Sequence, residues 1–129
     1  MGHIYSDIKL VGQTKKIKLK NVLIDTGATY TVVKPDIINS IDAFELKRKL
    51  NVELGNGKKV IARVYALEAR IGKHFGPAWV ISFTNAKNVI GVETLESLGL
   101  RFDLKKHKLE KTRPAGFAYF YKVRSFKEF

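Results

Sequence analysis

The sequence predicts a mostly β protein that forms one domain. Apolar and polar residues alternate along residues 3–11 and again along residues 16–24, which is the pattern of half-buried strands. Asn56-Gly57 separates two further short apolar segments and is a strong hairpin signal, because the favoured turn needs positive φ at both central residues. The chain has 129 residues, which is enough material for one modest core.

The first half of the chain predicts strands with one helical interruption. A turn at residues 12–15 joins the first two strands. Residues 29–33 are β-branched except for Tyr30 and predict an extended segment that ends at Pro35. Residues 41–50 hold helix formers, with Asp42 as a cap, and predict a short helix or helical turn.

The second half predicts a hairpin, further strands and one short helix. The hairpin spans residues 51–61, and strands follow near residues 63–71 and 78–83. The pattern after them is a buried strand, a Gly, a short helix that Gly99 ends, and a closing strand at residues 100–103.

Composition excludes several classes of function. Cysteine is absent, so the chain has neither disulfides nor thiolate chemistry. Residues 1–7 lack a basic region followed by an apolar run, and no later stretch is long and apolar enough to span a bilayer. We therefore expect a soluble, cytoplasmic protein with no membrane partner. His3, His74 and His107 are scattered, without a second ligand at metal-binding spacing, so no metal site is predicted.

The chain is strongly basic, with a net charge of +12 and a pI near 10.0. Part of the excess follows a strand pattern, because Lys16, Lys18 and Lys20 alternate with apolar residues as on the solvated face of a half-buried strand. The same charge would also attract nucleic acid, an anionic surface or acidic substrates by long-range electrostatics. Both interpretations stay open from the sequence alone.

The most informative motif is Asp25-Thr26-Gly27-Ala28, directly after the apolar run Val22-Leu23-Ile24. Asp-x-Gly after a strand is also ordinary turn chemistry, because Asp hydrogen-bonds the backbone ahead of it and Gly accepts positive φ. A second element favours a functional interpretation: Val89-Ile90-Gly91 precedes the short helix and the closing strand. The Asp-Thr-Gly loop occurs once, since no other Asp is followed by Thr-Gly or Ser-Gly.

In this order, these segments resemble the retropepsin family, the single-lobed aspartic proteases of retroviruses, retrotransposons and many cellular genomes. The resemblance covers most of residues 3–111. It implies a retropepsin-like closed β-barrel, the acid protease fold, and a homodimer in which each subunit supplies one Asp25. Val92 and Glu93 stand where many members carry Arg or another polar residue and then Asp or Asn, so an Arg contact that braces the dimer is not implied.

The resemblance also implies a reaction and a site. Two paired carboxyl groups would share one proton, and the ionised member would activate a water that attacks the peptide bond, with no cofactor and no metal. Residues 55–57 would form the tip of a flap over the substrate. The implied catalytic residues are Asp25, Thr26 and Gly27, and the implied polypeptide-binding residues are Ala28, Val32, Gly55, Asn56, Gly57 and Ile90. Val32 and Ile90 are equally well explained as core residues.

Residues 112–129 form a basic, aromatic extension beyond the predicted protease domain at residues 1–111. The pattern from residue 117 predicts a strand packed on the domain or on the dimer interface. Its composition would also suit base stacking and phosphate binding. Two functions follow from the whole sequence: a homodimeric aspartic endopeptidase, or a catalytically silent retropepsin-like dimer that serves as a basic nucleic-acid- or protein-binding module.

Overall fold

The computed structural model describes residues 3–119. Strands dominate this part of the chain, so the mostly β prediction is confirmed. Two helices of six residues each connect them, α1 (Pro35–Ser40) and α2 (Val92–Ser97). The strands are β1 (Tyr5–Val11), β2 (Lys16–Ile24), β3 (Thr31–Val32), β4 (Phe44–Glu45), β5 (Leu50–Glu53), β6 (Lys59–Ile71), β7 (His74–Ser82), β8 (Val89–Ile90), β9 (Leu100–Asp103) and β10 (Lys108–Lys111).

Most strands belong to one sheet that closes on itself. Its order is β1-β2-β8-β3-β7-β6-β4, and β1 also pairs with β6. The first six strands of that order therefore form a ring, in which β2 with β8 and β3 with β7 are parallel pairs. β5 pairs with β6 outside the ring, and β9 with β10 form a separate hairpin.

The ring and α2 enclose the main core. Ile8 and Leu10 of β1, Ile90 of β8 and Leu98 after α2 are at most 2% exposed. Burying a side chain of this size stabilises a fold by about 1.5–3 kcal/mol relative to leaving it in water. Strands from both ends of the chain thus meet in one apolar cluster.

β1 and β2 form the hairpin that the alternation predicted. Ile8 of β1 lies opposite Leu19 of β2, and both side chains are buried. The connecting turn needs a glycine because it packs on the segment after α1. A Cβ at Gly12 would lie 1.8 Å from the Ile41 carbonyl oxygen, where no side chain fits.

The helix predicted at residues 41–50 is wrong. A helix lies earlier, at α1, where Pro35 occupies the first turn and therefore removes no intrahelical hydrogen bond. Asp42 does not cap a helix, because its φ of 55° places it in the left-handed region. The chain then enters β4, where Phe44 pairs with Ala66 of β6. Pairing with β6 overrides the helix propensity of this segment.

The short helix near the C-terminal part is confirmed. α2 begins at Val92, and Gly99 adopts a φ of 79°, the left-handed conformation that ends many helices. β9 then covers the predicted closing strand, and β10 returns along it.

Residues 112–119 run as turns and irregular chain beside α2. The Arg113 guanidinium donates to the carbonyl oxygens of Glu96 at 3.1 Å and Ser97 at 2.6 Å, near the C-terminus of α2. Carbonyl oxygens at a helix C-terminus have no intrahelical donor, and the Arg113 guanidinium donates hydrogen bonds to two of them. Residues 120–129, which hold most of the predicted terminal strand, lie outside the described residues. Neither α1 nor α2, the helices within residues 3–119, has the length and hydropathy to cross a membrane.

Candidate active site

Asp25 lies where β2 ends and the chain turns. Its backbone N–H donates to the Ile90 carbonyl oxygen at 3.0 Å, just beyond the paired residues of β2 and β8. Its carboxylate accepts the Gly27 N–H at 2.9 Å, and its carbonyl oxygen accepts the Ala28 N–H at 3.0 Å. These bonds fix the direction of the Asp25 side chain while the residue remains exposed.

The start of α2 holds the Asp25 loop in place. The N–H groups of Val92 and Glu93 open the helix and have no intrahelical acceptor. They donate instead to the carbonyl oxygens of Ala28 and Thr29, each at 2.9 Å. Loop carbonyl oxygens thus accept the N–H groups that a capping side chain accepts in other helices. The loop and α2 therefore form one hydrogen-bonded unit.

Two buried threonines join the same segments. The hydroxyl oxygens of Thr31 and Thr94 are 2.7 Å apart, and Thr31 Oγ1 also accepts the Gly91 N–H at 3.1 Å. Thr31 is 2% exposed and Thr94 is 0% exposed. A buried hydroxyl is costly unless it is hydrogen-bonded, so this pair favours one relative position of the loop and the helix.

Gly91 is required by close packing. Its φ of −91° is ordinary for any residue, so backbone conformation does not demand a glycine. A Cβ at this position would lie 2.4 Å from the Tyr30 carbonyl carbon and 2.5 Å from the Tyr30 carbonyl oxygen. The backbone that follows Asp25 thus passes directly against Gly91.

A cleft of about 760 Å³ opens over the Asp25 loop. Three segments line it: the loop itself, β5 with the hairpin that follows, and the end of β7 with the chain that leads to β8. The cleft therefore brings together the predicted catalytic loop and the start of the predicted flap. The predicted site residues that line it are Asp25, Gly27, Ala28, Val32 and Gly55.

Four predicted site residues lie outside the lining, namely Thr26, Asn56, Gly57 and Ile90. Ile90 is 0% exposed in the main core, so it is a core side chain and its interpretation as a cleft wall is corrected. Its neighbour Val89 lines the cleft instead. Thr26 is exposed beside Asp25, and within residues 3–119 its hydroxyl makes no hydrogen bond.

The hairpin between β5 and β6 is present, with a different turn from the predicted one. Leu54 N–H donates to the Lys58 carbonyl oxygen and Gly57 N–H to the Leu54 carbonyl oxygen, both at 2.8 Å. The loop is thus residues 55–57, where Gly57 has a φ of 84° and Asn56 does not have a positive φ. A Cβ at Gly55 would meet nothing within 4 Å, so the tip stands clear of the rest of the chain.

The apolar side of the cleft was not predicted from the sequence. Tyr30, Val52 and Phe83 line it and, with Val32, pack on a second apolar cluster from β6 and β7. Val52 follows an alternating strand pattern and could have been found. Tyr30 and Phe83 were expected within extended segments, but each lies in an irregular segment beside a strand end, so alternation does not indicate which side either faces.

The charged residues that line the cleft are Asp25, Glu53 and Lys87. Within residues 3–119 no hydrogen bond joins Asp25 to another acidic side chain, so one chain presents one loop carboxylate. The same residues contain no group of three or more acidic or histidine side chains placed to hold a metal ion.

Comparison with protein-family models finds no match for this chain, and comparison with curated proteins finds none either. The functional interpretation therefore depends on the Asp25 loop, on its contacts with α2 and on the cleft above it.

Proposed function

We propose that the chain is a homodimeric aspartic endopeptidase with a retropepsin-like fold. The observation that supports this best is the Asp25 carboxylate, which is oriented by the Gly27 N–H and exposed in a cleft of about 760 Å³. An ionised carboxylate has about four lone-pair sites, so one that a single N–H orients can still accept from a water and from a second carboxyl group. Within residues 3–119, Asp25 has one donor from the next turn of the chain and no ion pair.

The reaction needs two carboxyl groups, so a second copy of the chain supplies the other Asp25. The ionised carboxylate takes a proton from a water whose oxygen bonds to the scissile carbonyl carbon. The protonated carboxyl gives its proton to the carbonyl oxygen, and a neutral tetrahedral diol results. When the C–N bond breaks, the amine takes a proton from the carboxyl that the water had protonated, and a diol hydroxyl returns a proton to the other carboxylate.

The substrate is an extended peptide segment. β5 pairs with β6 alone among the described strands, so its other edge can hydrogen-bond a peptide added as a further strand. Tyr30, Val32 and Phe83 provide apolar contacts for the peptide's side chains. Closure of the tip at residues 55–57 over the peptide would exclude water from the reaction.

The dimer axis would pass beside the Asp25 loops. Thr26 is exposed there, and its hydroxyl is not hydrogen-bonded within residues 3–119. In the dimer this hydroxyl bonds the partner loop, which keeps the two carboxyl groups at hydrogen-bonding distance from each other.

Asp25→Asn tests the proposal, with Asp36→Asn as the matched control. Asp36 is an exposed carboxylate in the first turn of α1 and is not part of the cleft lining, so its loss changes the net charge equally. We expect Asp25→Asn to lower cleavage of an unfolded protein by at least about a hundredfold, because the general base and the proton donor are both lost. Asp36→Asn should cleave normally. A statine-type transition-state mimic should block the unmodified chain, whose rate should follow a bell-shaped pH profile.

Cleavage at the normal rate by Asp25→Asn, or equal loss in both variants, would contradict the aspartic-protease mechanism. The alternative, a catalytically silent dimer that binds nucleic acid or protein, predicts that the unmodified chain cleaves nothing at any acid pH. Binding without cleavage would therefore favour that alternative.

A further inference from the structure

A row of cations crosses three neighbouring strands on the outer side of the sheet. Lys9 of β1 lies directly opposite Lys18 of β2 and directly opposite Arg70 of β6. Residues that face each other in an antiparallel pair lie on the same face, and like charges in that position destabilise the sheet. The row is unfavourable unless anions neutralise it.

The chain neutralises this row incompletely. Lys18 lies 3.8 Å from Asp7, and both side chains are about half exposed. Arg70 pairs with Glu68 on its own strand. Lys9 has no acidic partner within residues 3–119. Exposed ion pairs of this kind contribute little and exchange readily with other anions.

Exposed aromatic side chains continue the same face on β7. Phe75 lies opposite Arg70, and Trp79 lies opposite Ala66 four pairs further along. Phe75 is 51% exposed and Trp79 is 43% exposed. Phe44 of β4 also pairs with Ala66 and is 52% exposed, so it lies on the same face, across β6 from Trp79.

We propose that this basic aromatic face, formed by Lys9, Lys18, Arg70, Phe75 and Trp79, binds single-stranded nucleic acid. Phosphates would neutralise the cation row, and unpaired bases would stack on Phe75 and Trp79. Arg70 of the cation row lies directly opposite Phe75, so cations and aromatics lie side by side, as the phosphates and bases of a single strand do. The bases of a duplex are already stacked on one another. None of the five residues lines the Asp25 cleft, so the two sites are separate.

Trp79 provides the direct measurement, because it is the one tryptophan in the sequence. Titration of the full chain with a short oligothymidylate should quench Trp79 fluorescence, and the binding constant should fall steeply with added salt. Phe75→Ala should weaken binding at least about fivefold, as expected for the loss of one base stack. Lys9→Ala should reduce the slope of log K against log salt by about 0.7, the value for one phosphate contact on a single strand.

Two variants serve as controls away from this face. Lys105→Ala removes an exposed cation from the β9–β10 turn, and Leu104→Ala removes the apolar side chain beside it, which is 71% exposed. Neither variant should change the binding constant, because neither side chain belongs to the basic aromatic face. Asp25→Asn should bind the oligonucleotide normally, which separates this proposal from the proposed proteolysis.

Unchanged Trp79 fluorescence at saturating oligonucleotide would overturn the proposal. Equal losses in Lys9→Ala and Lys105→Ala would also overturn it, because binding would then follow net charge alone. Duplex DNA that binds as tightly as the single strand would exclude base stacking. A response of Trp79 to phosphatidylserine vesicles but not to the oligonucleotide would assign this face to a membrane surface instead.

Discussion

Gly91 and Thr31 hold the segment that follows Asp25 against the start of α2, although neither lines the cleft. Gly91 lets the Tyr30 backbone pass at a distance that no Cβ allows. Thr31 bonds both Gly91 N–H and the Thr94 hydroxyl, so it ties the Asp25 loop to α2. In the proposed enzyme these are positioning residues, because they act on Asp25 through the backbone.

Gly91→Ala should destabilise the fold and lower cleavage together. The added Cβ would lie 2.4 Å from the Tyr30 carbonyl carbon, so the loop must move away from α2. Overpacking of this kind costs about 1–3 kcal/mol, which denaturant unfolding would measure. Gly55→Ala is the matched control, since its Cβ meets nothing within 4 Å and its stability should change little. Equal stability of the two variants would show that the loop is not tightly held.

Thr31→Val should cost about 1–3 kcal/mol of unfolding free energy. Valine has the same shape but leaves the buried Thr94 hydroxyl and Gly91 N–H without their partner. The double variant Thr31→Val/Thr94→Val should be less destabilised than the sum of the two single changes, because one orphaned hydroxyl is removed with its partner. Strict additivity of the three unfolding free energies would contradict the buried hydrogen bond.

Sequence predicts a residue's role when the cause is local. Gly57 and Gly99 were expected in turn and helix-end positions, and both have positive φ. The need for glycine at Gly12 and Gly91 arises from backbone far along the chain, so no local pattern reveals it. Ile90 was ambiguous for the same reason, since alternation cannot tell a cleft wall from a core.

Among the elements, α2 connects most of the features around the site. Its first N–H groups hold the Asp25 loop, and its last carbonyls accept from Arg113. The sequence predicted this helix because a buried strand, a Gly and a terminal Gly bound it. The helix prediction for residues 41–50 was wrong because it used helix propensity alone. Pairing of β4 and β5 with the long strand β6 decides the conformation of this segment. Local patterns carry no information about that partner.

The β9–β10 hairpin should lose stability in acid through Asp103. The backbone N–H groups of Lys106 and Lys105 donate hydrogen bonds to the Asp103 carboxylate. These bonds, of which that from Lys106 has the larger effect, hold the pKa of this carboxyl below its usual value. A lowered folded pKa stabilises the fold above the unfolded pKa of about 3.9, and this contribution disappears as pH falls through the folded pKa. Asp103→Asn should therefore unfold at a lower temperature than the unmodified chain at neutral pH.

The difference in melting temperature between Asp103→Asn and the unmodified chain should shrink as the pH is lowered from about 5 to about 2. Asp36→Asn is the control, because within residues 3–119 no hydrogen bond to the Asp36 carboxylate is present. A difference that stays constant over this pH range would assign the effect to the side-chain amide and not to the lost ionisation.

At the scale of the whole molecule, the closed ring of strands assembles the candidate site within one chain, whereas the net charge of +12 opposes the association of two chains. The fold brings the Asp25 loop, the β5–β6 hairpin and the chain between β7 and β8 to one cleft from segments that are far apart in sequence. Most strands and the second helix of these segments could be predicted from local patterns, but their contacts could not, because the contacts depend on pairing between distant parts of the chain. The charge, by contrast, is a property of composition, and it opposes any association of two identical subunits.

Activity should depend on subunit concentration and on salt, because each chain carries one Asp25 loop and each subunit carries +12. Dilution should lower specific activity as dimers dissociate. Moderate salt should partly restore it, since the Debye length falls to about 8 Å at physiological ionic strength and the repulsion is screened. Sedimentation at the assay concentration would show whether activity follows the dimer.

Adding a threefold excess of Asp25→Asn should reduce the activity of a fixed amount of unmodified chain to about a quarter, because most subunits then pair with an inactive partner. The same excess of Asp36→Asn should not reduce it. Full activity in a monomeric sample, or no inhibition by Asp25→Asn, would contradict a catalytic pair shared between two subunits.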